Sequence, residues 1–455
     1  MAWKSRIIDI SYPLQSLLAV FVLWKGLLLF LIVLTPGPGY DTSTTLIRWN
    51  GDATKATLPA MLKTISIKFT RWDSIYYIIS ANRGYVFEQE WAFGYGFTRL
   101  IHVLANGLQR TTILDYTFNE SIVGILLSHG AHGLSTISLY YLICALLPRA
   151  QGRRVALLAA CLHILSPGGA FLSAPCAESI YALLSFCGSL AFVQSFSLDT
   201  SPGSLHDIFL VVAGVLYGLA TTCRSNGLLN GIPLFEEAVR LLLLLPSGIS
   251  YVKLRRLLAV GLAGLCTGLG FVLPQYIAYQ EFCIVSDDHE PRVWCRRMIP
   301  SIYSFVQDHY WDNGFLRYWT LSNIPLFVLA APMLTILVAS GRQAVTKELR
   351  ELATSRVSAE MQDTRQAQLT DRLLRSLAVP QVVLAVLIFL KHHVQIVTRV
   401  SSGYPIWYIW VACLLLQTHS EKEGRRDWKG KIIVKYMVGY AMIQGVLFAS
   451  FLPPA

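Results

Sequence analysis

LQSLLAVFVLWKGLLLFLIVLT, residues 14–35, decides what kind of molecule this chain makes. It contains 22 residues and one charge, Lys25. A helix crossing a bilayer needs about 20 apolar residues, so this stretch is long enough to span. It is too long for the apolar core of a cleaved signal and lacks a small-residue cleavage site, so it reads as a signal anchor. The rest of the 455 residues continues the pattern: 54% are hydrophobic, 14% are charged and the mean hydropathy is +0.49. A soluble protein carries about 25% charged residues. The composition excludes disorder, a small disulfide-stapled secreted module and a cytosolic enzyme.

Further apolar runs lie at 119–147, 155–172, 179–197, 207–223, 227–246, 257–279, 322–340, 377–394, 404–418 and 433–451. The expectation is an all-α integral membrane protein, residues 1–455 forming one domain of about eleven transmembrane helices. Two long non-cytosolic loops, 36–118 and 280–321, interrupt it, and 341–376 is a charged, helix-prone cytosolic linker. The formal net charge of +11 reads as topology, not as a nucleic-acid partner. With the N-terminus cytosolic, the cytosolic segments hold 20 of the 38 Lys and Arg. Most of the nine cysteines sit in apolar runs; only Cys283 and Cys295 share a polar loop, where an oxidising compartment would allow a disulfide. There is no P-loop, dinucleotide fingerprint or Gly-x-Ser-x-Gly elbow. The sequon Asn119-Glu120-Ser121 lies too close to a span to be a good glycosylation site.

Chemistry-bearing residues gather on the non-cytosolic side. The first loop carries Arg71-Trp72-Asp73 followed by an aromatic stretch, which presents a carboxylate at headgroup level that can take a proton from a hydroxyl. The bland alternative is an Arg71–Asp73 anchor pair. Glu178 lies between two spans, where it either faces a cavity or caps the next helix. Arg224-Ser225-Asn226-Gly227 is an anion-binding break or a plain turn. His392, His393, Gln395 and Arg399 form a phosphate- or sugar-binding cluster or a set of snorkelling side chains. Adjacent histidines on a helix diverge by about 100° and cannot share a metal. The second loop, with His309-Tyr310-Trp311-Asp312-Asn313, suits a sugar ring or an interfacial belt, and Asp287-Asp288 reads as a solvated turn.

In order, Phe69-x-Arg71-Trp72-Asp73, Pro175-x-x-Glu178-Ser179, Arg224-Ser225-Asn226-Gly227, Gly314-Phe315-Leu316-Arg317-Tyr318 and His393-Val394-Gln395-x-x-x-Arg399 resemble the PIG-V family, the GPI mannosyltransferases 2. The resemblance runs from the first span to about residue 410, with one departure: Gly94-Tyr95-Gly96-Phe97 stands where a proline is expected. It implies a GT-C-type glycosyltransferase of the endoplasmic reticulum membrane with a lumenal active site. The donor would be dolichyl phosphate mannose and the acceptor a GPI precursor glycolipid, which receives its second mannose in α-1,6 linkage with inversion. On this reading Asp73 is the general base, Trp72 supports it, and Arg71, Arg224, Asn226, His393, Gln395 and Arg399 bind substrate, Glu178 through a sugar hydroxyl. A lone aspartate with arginines for the phosphate needs no metal or other cofactor. The resemblance leaves open whether a small accessory subunit takes part. Its rivals are another dolichol-dependent mannosyltransferase and a non-enzymatic lipid transporter; the latter would want more charges within its spans.

Overall fold

In hydrocarbon every backbone N–H and C=O must be satisfied within the chain, and this chain does so with helices. The computed structural model describes residues 9–37, 39–46, 60–110, 119–147, 150–196, 203–284, 292–353, 364–417 and 427–453, and among these there is no strand. The principal helices are α1 (Pro13–Leu34), α2 (Ala60–Phe69), α3 (Asp73–Arg83), α4 (Tyr95–Arg110), α5 (Asn119–Leu146), α6 (Ala150–Ile164), α7 (Glu178–Gln194), α8 (Ser204–Cys223), α9 (Ile232–Leu243), α10 (Tyr251–Tyr279), α11 (Ile302–His309), α12 (Ile324–Val345), α13 (Thr364–Lys391), α14 (Ile406–Leu416) and α15 (Asp427–Ala449).

Seven helices among the described residues, α1, α5, α8, α10, α12, α13 and α15, are long and apolar enough to cross a membrane. The other four expected spans are shorter. Pro167-Gly168-Gly169 ends the run 155–172 as a helix at Ile164 and leaves a single 3-10 turn, Gly169–Leu172. The run 227–246 starts as a 3-10 segment, Ser225–Gly231, and becomes α-helical only at Ile232, with Pro233 in the first turn. The runs 179–197 and 404–418 become α7 and α14, of 17 and 11 residues. These short helices are enclosed by protein: α7 packs between α5 and α8, and α14 lies on α6, α12 and α15. Tyr181, Phe186, Trp407 and Tyr408 are fully buried there.

Within 341–376 the described residues are largely helical, with a short helix at Glu348–Ala353. Residues 341–345 finish α12, and α13 begins at Thr364 instead of 377; residues 354–363 lie outside the described residues. Asp287-Asp288 lies outside them as well. At the end of the bundle remote from Arg224, buried acids staple four helices. Asp207 of α8 meets Arg255 and Arg256 of α10 at 2.6 and 3.4 Å. Glu237 of α9 accepts from Arg240, Arg256 and Arg372, the last on α13.

The described part of the first long loop is structured. Helix α3 buries Tyr77, Ile78 and Ala81, and α4 buries Phe97, Ile101 and Ala105 while exposing Val103 and Leu104, as an interfacial helix does. The Gly94/Gly96 departure has a packing reason. A Cβ on Gly94 would fall 1.7 Å from the Cys223 carbonyl oxygen, and one on Gly96 2.2 Å from Thr222 Oγ1. Only glycines let the start of α4 lie on the end of α8, beside Arg224. The second loop is pinned to the first: buried Glu88 accepts from Trp294 Nε1 at 2.8 Å and from the Tyr310 hydroxyl at 3.0 Å. Cys283 and Cys295 form the disulfide that the sequence allowed.

Candidate active site

The two loops and the ends of α8, α10 and α13 line a half-open cavity of about 680 Å³. Its lining joins segments far apart in sequence: Trp72, Asp73 and Tyr76; Arg224 to Asn226; Tyr303, Gln307 and Trp311; and His392, His393, Gln395, Ile396 and Arg399.

Trp72 ends the turn after α2 with φ +54°, a left-handed conformation that costs a bulky residue roughly 1–3 kcal/mol and collects at functional sites. It makes Asp73 the first residue of α3, at the positive end of the helix dipole. Arg399 lies on the short helix Val397–Val400, Arg224 directly follows α8, and Glu178 opens α7 ahead of its apolar run. These four side chains form one network. Arg399 Nη2 donates to Asp73 Oδ2 at 2.5 Å and to Glu178 Oε1 at 2.7 Å, while its Nε donates to the same Oε1 at 2.9 Å. Arg224 Nη1 meets Glu178 Oε1 at 2.7 Å. The Arg399 guanidinium also lies 3.6 Å over the Phe171 ring.

Burial alone would push the Glu178 carboxyl up, but Arg224 and Arg399 together hold it below the usual carboxylate range. Burial would likewise lower Arg399; Asp73 and then Glu178 hold it above the usual guanidinium value. Two carboxylates and two guanidiniums cancel in charge. The exposures separate them: Glu178 is fully buried and not part of the cavity wall, whereas the Asp73 side chain is 33% exposed.

The expected residues therefore divide. Asp73, Trp72, Arg224, Asn226, His393, Gln395 and Arg399 all line the cavity. Glu178 is not among the residues lining the cavity; it lies behind Arg224 and Arg399 and contacts both. Arg71 is not a cavity residue either: it is 1% exposed, donates to Thr44 Oγ1 at 3.1 Å and lies over Phe451. His393 is largely architectural, with Nε2 on the Trp311 carbonyl at 3.0 Å and its ring stacked on Tyr318. Gln395 accepts from the Tyr318 hydroxyl, and Asn226 donates to that of Tyr404. Sequence reading missed Gln307, Tyr303 and the apolar wall of Leu229, Phe271, Leu384 and Ile388, all of which line the cavity but sit in no polar motif. Among the described residues no three His, Cys, Asp or Glu gather as a metal-ligand set.

A partly exposed carboxylate and two guanidiniums at a half-open cavity among membrane helices define an integral membrane protein equipped for group transfer to or from an anion. The sequence model described as Mannosyltransferase (PIG-V) matches residues 14–455, and the chain belongs to that mannosyltransferase family and is a glycosyltransferase. It is 45% identical to a GPI mannosyltransferase 2 of Chaetomium globosum, over 98% of this chain and 97% of that one. It is 42% identical to the enzyme of that name in Gibberella zeae, over 98% of both chains. Among solved structures, an archaeal oligosaccharyltransferase from Archaeoglobus fulgidus superposes with a TM-score of 0.48 at 13% identity, over 94% of this chain and 56% of that one. That likeness is loose.

Proposed function

We propose that this protein transfers mannose from dolichyl phosphate mannose to the first mannose of a GPI precursor, in α-1,6 linkage, at the lumenal face of the endoplasmic reticulum membrane. The relatives' names support the acceptor. The observation that carries the chemistry is the contact of Arg399 with Asp73 at 2.5 Å within a cavity that Arg224 also lines.

Transfer with inversion needs one carboxylate and one anion site. Asp73 takes the proton of the acceptor 6-hydroxyl as that oxygen bonds to the anomeric carbon. The bond from that carbon to the phosphate oxygen breaks, and its electron pair leaves with dolichyl phosphate. Arg224 and Arg399 receive the charge that grows on the phosphate, the role a metal plays elsewhere. Because Arg399 holds Asp73 at rest, an arriving phosphate competes for that guanidinium and frees the carboxylate. Glu178 keeps both arginines aimed. Leu229, Phe271, Leu384 and Ile388 give the cavity an apolar side for a lipid chain.

The test is transfer from labelled dolichyl phosphate mannose to a one-mannose GPI precursor. Asp73→Asn should lose activity by about 10²–10⁴-fold at normal protein level. Near wild-type turnover in that variant would refute the base. Accumulation of an N-glycan precursor in cells lacking the protein, without a one-mannose GPI intermediate, would refute the acceptor.

A further inference from the structure

The cavity has a second chemically distinct part that the transfer chemistry above does not use. One helical turn beyond Asp73, Tyr76 lies on the same face of α3. Its ring is stacked on Phe93 at 4.5 Å with the planes 10° apart, and Trp311 meets Phe93 edge-on at 5.6 Å. Beside them Asn313 Nδ2 donates to Gln307 Oε1 at 2.7 Å, while Asn313 Oδ1 is buried without a partner. Whichever way that amide is turned, one of its polar atoms stays unpaired. Trp72 Nε1, a donor, is buried and unpartnered too. All these residues line the cavity. A buried polar atom left without a hydrogen bond is costly and calls for an explanation.

Trp311 and Asn313 belong to the second loop, Tyr76 and Phe93 to the first, so this surface exists only where the loops meet. Glu88 holds that junction through Trp294 and Tyr310, and the disulfide closes the second loop on itself beside Trp294. The chemistry differs from the arginine side, where cations and apolar side chains suit a lipid phosphate. Aromatic faces with neutral amides and no carboxylate of their own suit an uncharged sugar: the rings take its C–H face and the amides take its hydroxyls.

We infer that Tyr76, Phe93, Trp311, Gln307 and Asn313 form a subsite for the terminal pyranose of the acceptor, distinct from the donor's place at Arg224 and Arg399. This rests on the proposed transfer reaction. The subsite seats the sugar on the aromatic rings and turns one of its hydroxyls toward Asp73, so it determines which hydroxyl reacts.

The test uses the full chain in lipid nanodiscs. Trp311→Leu and Asn313→Ala should each raise the acceptor KM about tenfold and leave the donor KM unchanged, and Trp311→Phe should recover most of the loss. A rise in donor KM, or no change in either constant, would overturn the subsite while leaving the transfer reaction standing. A second measurement needs no turnover: saturation-transfer NMR of methyl α-mannoside on the wild-type protein. Its signal should be displaced by the one-mannose acceptor and not by dolichyl phosphate mannose, and should be lost in Asn313→Ala. Displacement by the donor alone, or a signal that persists in the variant, would place the bound sugar elsewhere. Absence of transfer by the wild type, with mannoside binding intact, would instead count against the proposed reaction.

Discussion

Glu178→Gln keeps the shape of the side chain and removes its charge, which makes it the sharpest probe of the network. Glu178 Oε1 carries three contacts of 2.7–2.9 Å to two guanidiniums and is fully buried. The substitution leaves Arg224 and Arg399 with Asp73 alone, so the cluster gains one positive charge. Removing one partner of a buried pair costs about 3–5 kcal/mol. The arginine side chains are 16% and 13% exposed, so some charge escapes to water and the lower figure, ~3 kcal/mol, applies. At about 2 °C per kcal/mol for a large chain the melting temperature should fall by about 6 °C. The assay is thermal unfolding of purified protein, with and without dolichyl phosphate. An anion should replace the lost charge, so the ligand should stabilise the variant more than the wild type; a ligand at 100 times its Kd contributes about 2.7 kcal/mol. A variant that melts within a degree of wild type, or equal stabilisation of both by the ligand, would refute the view of Glu178 as the counter-charge of the arginines. The pH dependence adds a sign. The carboxyl is held below its unfolded value of about 4.3, so its stabilisation is complete above that pH and is lost as pH falls through the folded value. The stability gap between wild type and Glu178→Gln should therefore close in acid.

Arg71→Ala should cost about 2 kcal/mol of stability through loss of a buried charged hydrogen bond, and the residual folded protein should keep its donor KM. Cys283→Ser opens a disulfide that spans 12 residues and should cost about 3 kcal/mol by loop-closure entropy, read as a lower melting temperature that reductant reproduces in the wild type. Asn119 is 1% exposed and Ser121 fully buried, so glycosidase treatment should leave the electrophoretic mobility of the protein unchanged.

Much of this molecule is legible without coordinates. Apolar runs and sparse charge are local properties, and a bilayer permits one answer to them, so the all-helical membrane class follows from residues 14–35 and their successors. Which motifs matter is legible for a related reason: polar residues such as Asp73, Arg224 and Arg399 are costly near lipid and are kept where they do something. Run length alone misjudged helix length. Pro167 and Gly231 break two apolar runs, and α7 and α14 stay short because neighbouring helices bury them in place of lipid. Which charges touch was beyond the sequence. Arg399 reaches Asp73 across 326 residues, and Glu178 hides behind the arginines because the chain returns to one end of the bundle at α3, α7, α8 and α13. Local pattern left Glu178 and Arg71 open between substrate and structure because it records residue type, and the family resemblance alone placed them at substrate; packing records burial, which sets Glu178 against two arginines and Arg71 against Thr44 and Phe451.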